Sequence, residues 1–67
     1  MQLSPRKLEI LTLVAKGYTD KEISQILKIS ERTIQTYISY IVSDLNARNR
    51  TNAVARYMQQ HPRWNIE

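Results

Sequence analysis

Apolar residues recur at spacings of three and four nearly from end to end, and no stretch alternates with period two, so the pattern predicts helices throughout. In LSPRKLEILTLVAKG, Leu8, Leu11 and Ala15 share a face that Ile10 and Val14 widen. Ser4 suits the N-cap, Pro5 the first helical position and Gly17 the left-handed residue past the end, which predicts a helix over 5–16. Thr19 and Glu22 then form a capping box for a short second helix with the stripe Ile23, Ile26 and Leu27. The three residues KIS connect it to a third helix, with Ile29 expected in the core and Ser30 as the next cap.

The third helix is expected over 31–45. Ile34, Ile38, Ile41 and Leu45 follow at spacings of four, three and four, which holds them within a narrow arc. Arg32, Gln35, Thr36, Ser39, Tyr40 and Ser43 fall on the opposite side. One face is therefore apolar and the other is made of hydrogen-bonding groups. NARNR reads as a polar loop, and Thr51 as the start of a fourth helix carrying Ala53, Val54, Tyr57 and Met58. Pro62 stops that helix, and Trp64 is expected to fold back from the tail onto the body. The fold expected is all-α with four helices. Residues 3–60 form the domain and 61–67 a C-terminal tail.

Size and charge narrow the choice of function. With 67 residues there is room for one small core and no enclosed substrate cavity. Cysteine is absent, which removes disulfides and thiolate metal sites. No apolar run approaches the roughly 18 residues of a membrane span and no signal-peptide core opens the chain, so a cytoplasmic protein with no membrane partner is expected. Ten Lys and Arg against six Asp and Glu give a formal charge of +4, which favours a polyanionic partner.

Catalysis is hard to build from this chain. The single histidine, His61, stands beside Pro62 without an evident carboxylate partner and reads as a solvated side chain. Asp20 and Glu22 lie two apart on a short helix and do not face each other, while Glu22 has a capping role. Gly17 is the only glycine, so there is no phosphate loop, and metal or nucleophile constellations are missing too. No catalytic residue, cofactor, metal or small-molecule substrate is expected.

Two short helices joined by three residues form a steep corner of the helix-turn-helix kind. Here the residues become specific. Leu3-Ser4-x-Arg6, Glu9-Ile10-Leu11, Gly17-x-Thr19-x-Lys21-Glu22-Ile23, Leu27-x-Ile29-Ser30, Thr33-Ile34, Leu45, Arg50 and Ala53-Val54 follow in order. From Leu3 to about Tyr57 the chain resembles the LuxR/GerE-type helix-turn-helix domain, the DNA-binding output domain of many bacterial response regulators of the NarL/FixJ type and of quorum-sensing regulators. Departures are visible as well. The family usually has Glu where Lys7 stands, often Asn at Asp20 and Lys at Asp44, and a Val-Lys-x-His run where this chain has Ile34-Gln35-Thr36-Tyr37.

The resemblance implies a third helix in the major groove of double-stranded DNA. Gln35, Thr36 and Ser39 then correspond to residues that reach base edges, and Lys21, Thr33 and Tyr37 to residues near the phosphates. It also implies a homodimer on DNA through the outer side of the fourth helix, around Ala53, Arg56, Tyr57 and Gln60, with RNA polymerase as a further partner. A helix whose only cation is Arg32 can still read DNA, because charge positions a protein while donors and acceptors specify sequence. Gln35 suits a bidentate contact with adenine and Thr36 offers thymine a methyl group. Arg32, Arg48 and Arg50 join Lys21 as candidates for phosphate, although Arg50 equally suits a structural pair with an acid such as Glu9. Tyr57 and Met58 suit the core as well as a dimer contact.

Two rivals stand beside this reading. Region 4 of a bacterial sigma factor shares the opening and the corner, but not the loop with Arg50 followed by Ala53-Val54 in another helix. A non-catalytic helix-turn-helix module that binds a polymerase subunit or another regulator would explain the neutral face of the third helix.

Overall fold

The computed structural model describes residues 3–66 and contains four helices: α1 (Pro5–Ala15), α2 (Asp20–Leu27), α3 (Glu31–Asp44) and α4 (Arg50–Gln60). The connection of α2 to α3 is the three residues expected, and α1 and α3 each end one residue earlier than the spacing suggested. The four-helix all-α fold is as the pattern predicted. Among the described residues, no helix is long and apolar enough to cross a membrane. Glu67, the last residue of the expected tail, lies outside the described residues.

Local chemistry sets the helix ends. Ser4 Oγ accepts the Lys7 N–H at 3.3 Å. At α2 the capping box is reciprocal: Thr19 Oγ1 accepts from the Glu22 N–H at 3.1 Å, and Glu22 Oε1 accepts from the Thr19 N–H at 2.8 Å. Gly17, at φ 95°, lets the Tyr18 N–H reach back to the Leu13 carbonyl at 3.2 Å and the Gly17 N–H to Val14 at 3.0 Å. Asn46 closes α3 in the same way at φ 54°, with the Ala47 N–H donating to the Val42 carbonyl at 2.9 Å. Lys28 turns the chain out of α2 at φ 57°, a conformation glycine would adopt without strain. The fourth helix begins before Thr51, because Asn49 is its cap and Oδ1 of Asn49 accepts the Asn52 N–H at 2.8 Å.

The core sits where all four helices meet. Leu3, Ile10, Leu11, Ile23, Ile34, Ile38, Ile41, Leu45, Ala53 and Tyr57 are buried together. Ile29 is only partly buried at its edge, and Ile26 is 49% exposed. The α2 stripe is thus narrower than its sequence pattern suggested, because α1 and α3 together cover Ile23 but leave Ile26 at the surface.

Two departures from the family pattern turn out to be one interaction. Lys7 Nζ donates to Asp44 Oδ2 at 2.7 Å, tying the start of α1 to the end of α3. Against the family pattern of Glu and Lys at these positions, this chain has Lys and Asp, and the two form an ion pair here. Both side chains are only partly exposed, 25% and 31%, and such a pair is worth about 0.5–1 kcal/mol. Lys7→Glu is expected to lose about 1 kcal/mol by setting two acids together, and adding Asp44→Lys should restore most of it. Urea unfolding of the single and double variants measures this, and equal losses in both would remove the pair from the account.

Candidate nucleic-acid interface

The two faces of α3 separate cleanly. Ile34, Ile38 and Ile41 enter the core, while Arg32, Gln35, Thr36, Ser39, Tyr40 and Ser43 are all exposed. Among the described residues, the side chains of Gln35 and Ser39 have no hydrogen-bond partner, so their donors and acceptors are available to a ligand. Thr36 Oγ1 donates to the Arg32 carbonyl at 3.0 Å, which occupies its proton and leaves the methyl group and remaining lone pair outward. Thr33 is exposed, but its hydroxyl is engaged with Ser30 Oγ at 2.8 Å as part of the cap. Tyr37 is half-buried against the core, so its ring is structural.

Of the cations expected beside this face, Lys21, Arg32 and Arg48 are exposed and have no ion-pair partner among the described residues. Arg50 is different. Its guanidinium grips Asp20 with both arms, Nη1 to Oδ1 at 2.7 Å and Nη2 to Oδ2 at 3.1 Å, joining the start of α4 to the start of α2. The Asp20 hydrogen bond raises the guanidinium pKa above its ordinary range against the opposing effect of burial. A raised cationic pKa stabilises below the ordinary value and is lost only in strong alkali, so the pair holds across working pH. Arg50 is therefore withdrawn from the phosphate set. Its partner is Asp20 rather than Glu9, which instead pairs with Arg6 at 3.0 Å.

The expected dimer residues also need correction. Ala53, Arg56, Tyr57 and Gln60 lie on one stripe of α4, but that stripe faces inward. Ala53 is 0% and Tyr57 4% exposed, both within the core. Arg56 is half-buried with Nε donating to Asn52 Oδ1 at 3.2 Å, leaving Gln60 as the exposed member. The outer side of α4 is Thr51, Ala55 and Met58, spaced by four and three and all exposed. That spacing is present in the sequence, but the resemblance that supplied the dimer helix does not give its orientation.

His61 is not solvated. Its ring stacks on Tyr57 with centroids 4.2 Å apart, and Nε2 is buried without a partner among the described residues. Trp64 folds back as expected, edge-on to Tyr57 at 4.8 Å. Among the described residues, no group of three or more His, Cys, Asp or Glu is placed to hold a metal ion.

Comparison with known proteins adds an independent line. The family model described as bacterial regulatory proteins, luxR family (GerE), matches residues 1–57. The response regulator protein VraR of Staphylococcus aureus is 44% identical over 59 residues, which are 88% of this chain and 28% of that protein. VraR of Staphylococcus epidermidis matches to the same extent. The chain thus spans less than a third of the length of these relatives. Among solved structures, the transcription factor GerE superposes with a TM-score of 0.85 at 31% identity, covering 97% of this chain and 96% of that one. The response regulator ChrA of a heme-sensing two-component system gives a TM-score of 0.84 at 37% identity, covering 90% of this chain and 30% of ChrA.

Proposed function

Since the chain belongs to the luxR family of bacterial regulatory proteins, we propose that residues 3–60 are the DNA-binding domain of a cytoplasmic transcription regulator, followed by the tail 61–67. It binds double-stranded DNA sequence-specifically with α3 in the major groove. The observation that carries this reading is the exposed polar face of α3, where the Gln35 and Ser39 side chains have no hydrogen-bond partner among the described residues. Gln35 pairs with an adenine edge, and Thr36 and Ser39 make the neighbouring base contacts. Lys21, Arg32 and Arg48 seat on phosphates, with Thr33 and the phenol of Tyr37 beside them.

Three free cations are a small electrostatic base, so one copy binds weakly and two are needed. Pairing through the outer side of α4 would use Thr51, Ala55 and Met58, with Gln60 at the end of the same helix. Ala55, being small, lets two backbones approach closely there.

Sequence selection from a random duplex library, by wild type and Gln35→Ala at equal salt, tests the reading. Enrichment of a site with an adenine whose preference falls about ten-fold in the variant is expected. No enrichment, even by a tethered dimer, would sink it. The shallow groove between α1 and α2, lined by Leu8, Leu13, Ile26 and Leu27, favours a protein partner in that event, such as a polymerase subunit.

A further inference from the structure

Tyr40 is not used by the reading above, and its surroundings are unusual. It lies one turn beyond Thr36 on the same side of α3, and the residue is 57% exposed. A tyrosine filling the edge of the core would bury its ring. Here the ring stands out among Thr36, Ser39 and Ser43, all exposed. The phenol hydroxyl has no hydrogen-bond partner among the described residues. An exposed aromatic gains little in an isolated helix, so propensity does not explain it.

One cation lies near the ring. Lys7 Nζ lies 5.7 Å from its centroid, within range of a cation–π attraction. The same ammonium is fixed at 2.7 Å by Asp44, one turn further along α3. The pair cancels the charge of Asp44, which would otherwise repel a phosphate approaching this end of the helix. What remains on this exposed residue is a neutral donor.

We propose that Tyr40 is a DNA-backbone contact, its phenol O–H donating to a phosphate oxygen beside the bases that Gln35, Thr36 and Ser39 read. This rests on the DNA-binding reading and adds a residue to it. The contact is suited to a helix with a single cation, since a neutral donor anchors the far end of α3 without adding charge. It also sets the register of the helix in the groove, because a phosphate contact positions the base contacts without itself reading sequence.

Tyr40→Phe keeps the ring and removes only the donor. Binding is to be measured on the selected duplex and on a shuffled duplex over a range of salt, with thermal unfolding of the variant as a check of folding. Affinity is expected to fall about ten-fold on both duplexes, the scale of a lost hydrogen bond to a charged group. The slope of log affinity against log salt should not change, because a phenol releases no counterion, whereas Arg32→Ala should lower it by about one. Wild-type affinity in Tyr40→Phe overturns the proposal, and so does a loss confined to the selected duplex, which would mean a base contact. If Gln35→Ala relaxes the preference while Tyr40→Phe binds normally, this proposal fails and the DNA reading stands. If the tethered wild-type dimer binds neither duplex, both fall.

Discussion

Ile34→Ala is expected to bring the domain close to unfolding at room temperature. Ile34 is 0% exposed in the core, on the buried face of α3, which packs against all three other helices. Truncating such a residue costs about 2–5 kcal/mol, part from lost transfer energy and part from the cavity left behind. A chain of this size has about 3–10 kcal/mol in total. The melting temperature should fall by about 15 °C or more, at roughly 4–8 °C per kcal/mol for a small domain. The matched control is Ile26→Ala, which removes the same atoms from a residue 49% exposed and should cost less than about 1 kcal/mol. Circular dichroism melts of the two variants decide the matter, and equal losses would contradict the burial of Ile34.

That contrast shows what the sequence made legible. Ile26 and Ile34 are the same residue in equally regular stripes, and periodicity gives both an apolar face. It cannot tell how much of a face the neighbours cover, because that depends on where other helices cross. The same gap explains α4. The stripe Ala53, Arg56, Tyr57 and Gln60 was correctly grouped, but its direction was reversed, since the resemblance supplied a dimer helix and not its orientation in this chain. Capping was read well at Ser4, Thr19, Glu22 and Ser30, because each acts on a backbone N–H three residues away. At α4 the cap was missed: Asn49, placed in the polar loop, caps a helix that starts at Arg50 rather than Thr51.

Long-range pairs were the least legible. Arg50 and Asp20 stand 30 positions apart and Lys7 and Asp44 stand 37 apart, so only the packed helices bring them together. Lys7 and Asp44 could have been suspected, since two charge reversals against one family pattern suggest that the positions touch. The polar face of α3 was legible in full. It follows from the complement of the isoleucine stripe, and nothing among the described residues covers it.

Trp64→Ala is the second large effect expected, at about 2–4 kcal/mol, although Trp64 lies in what the sequence suggests is a tail. Trp64 packs edge-on against Tyr57 at 4.8 Å with an interplanar angle of 82°, and its Nε1–H donates to Thr12 Oγ1 at 3.3 Å. Through these contacts the segment after α4 clasps α1 to α4, with His61 stacked on the same Tyr57 ring. Removing a fully buried tryptophan costs about 3–5 kcal/mol, and the half-buried position of Trp64 lowers that range. Trp64→Phe separates the two causes: it should recover the ring packing and lose only the hydrogen bond, about 0.5–1.5 kcal/mol. Urea unfolding of the three proteins measures both. An Ala variant as stable as wild type would make residues after Gln60 a mere appendage. A loss of the expected size would carry the folding unit through Trp64, because Tyr57 needs that ring to stay dry. DNA affinity at a temperature where both proteins are folded should not change, since Trp64 touches α1 and α4 and not the polar face of α3.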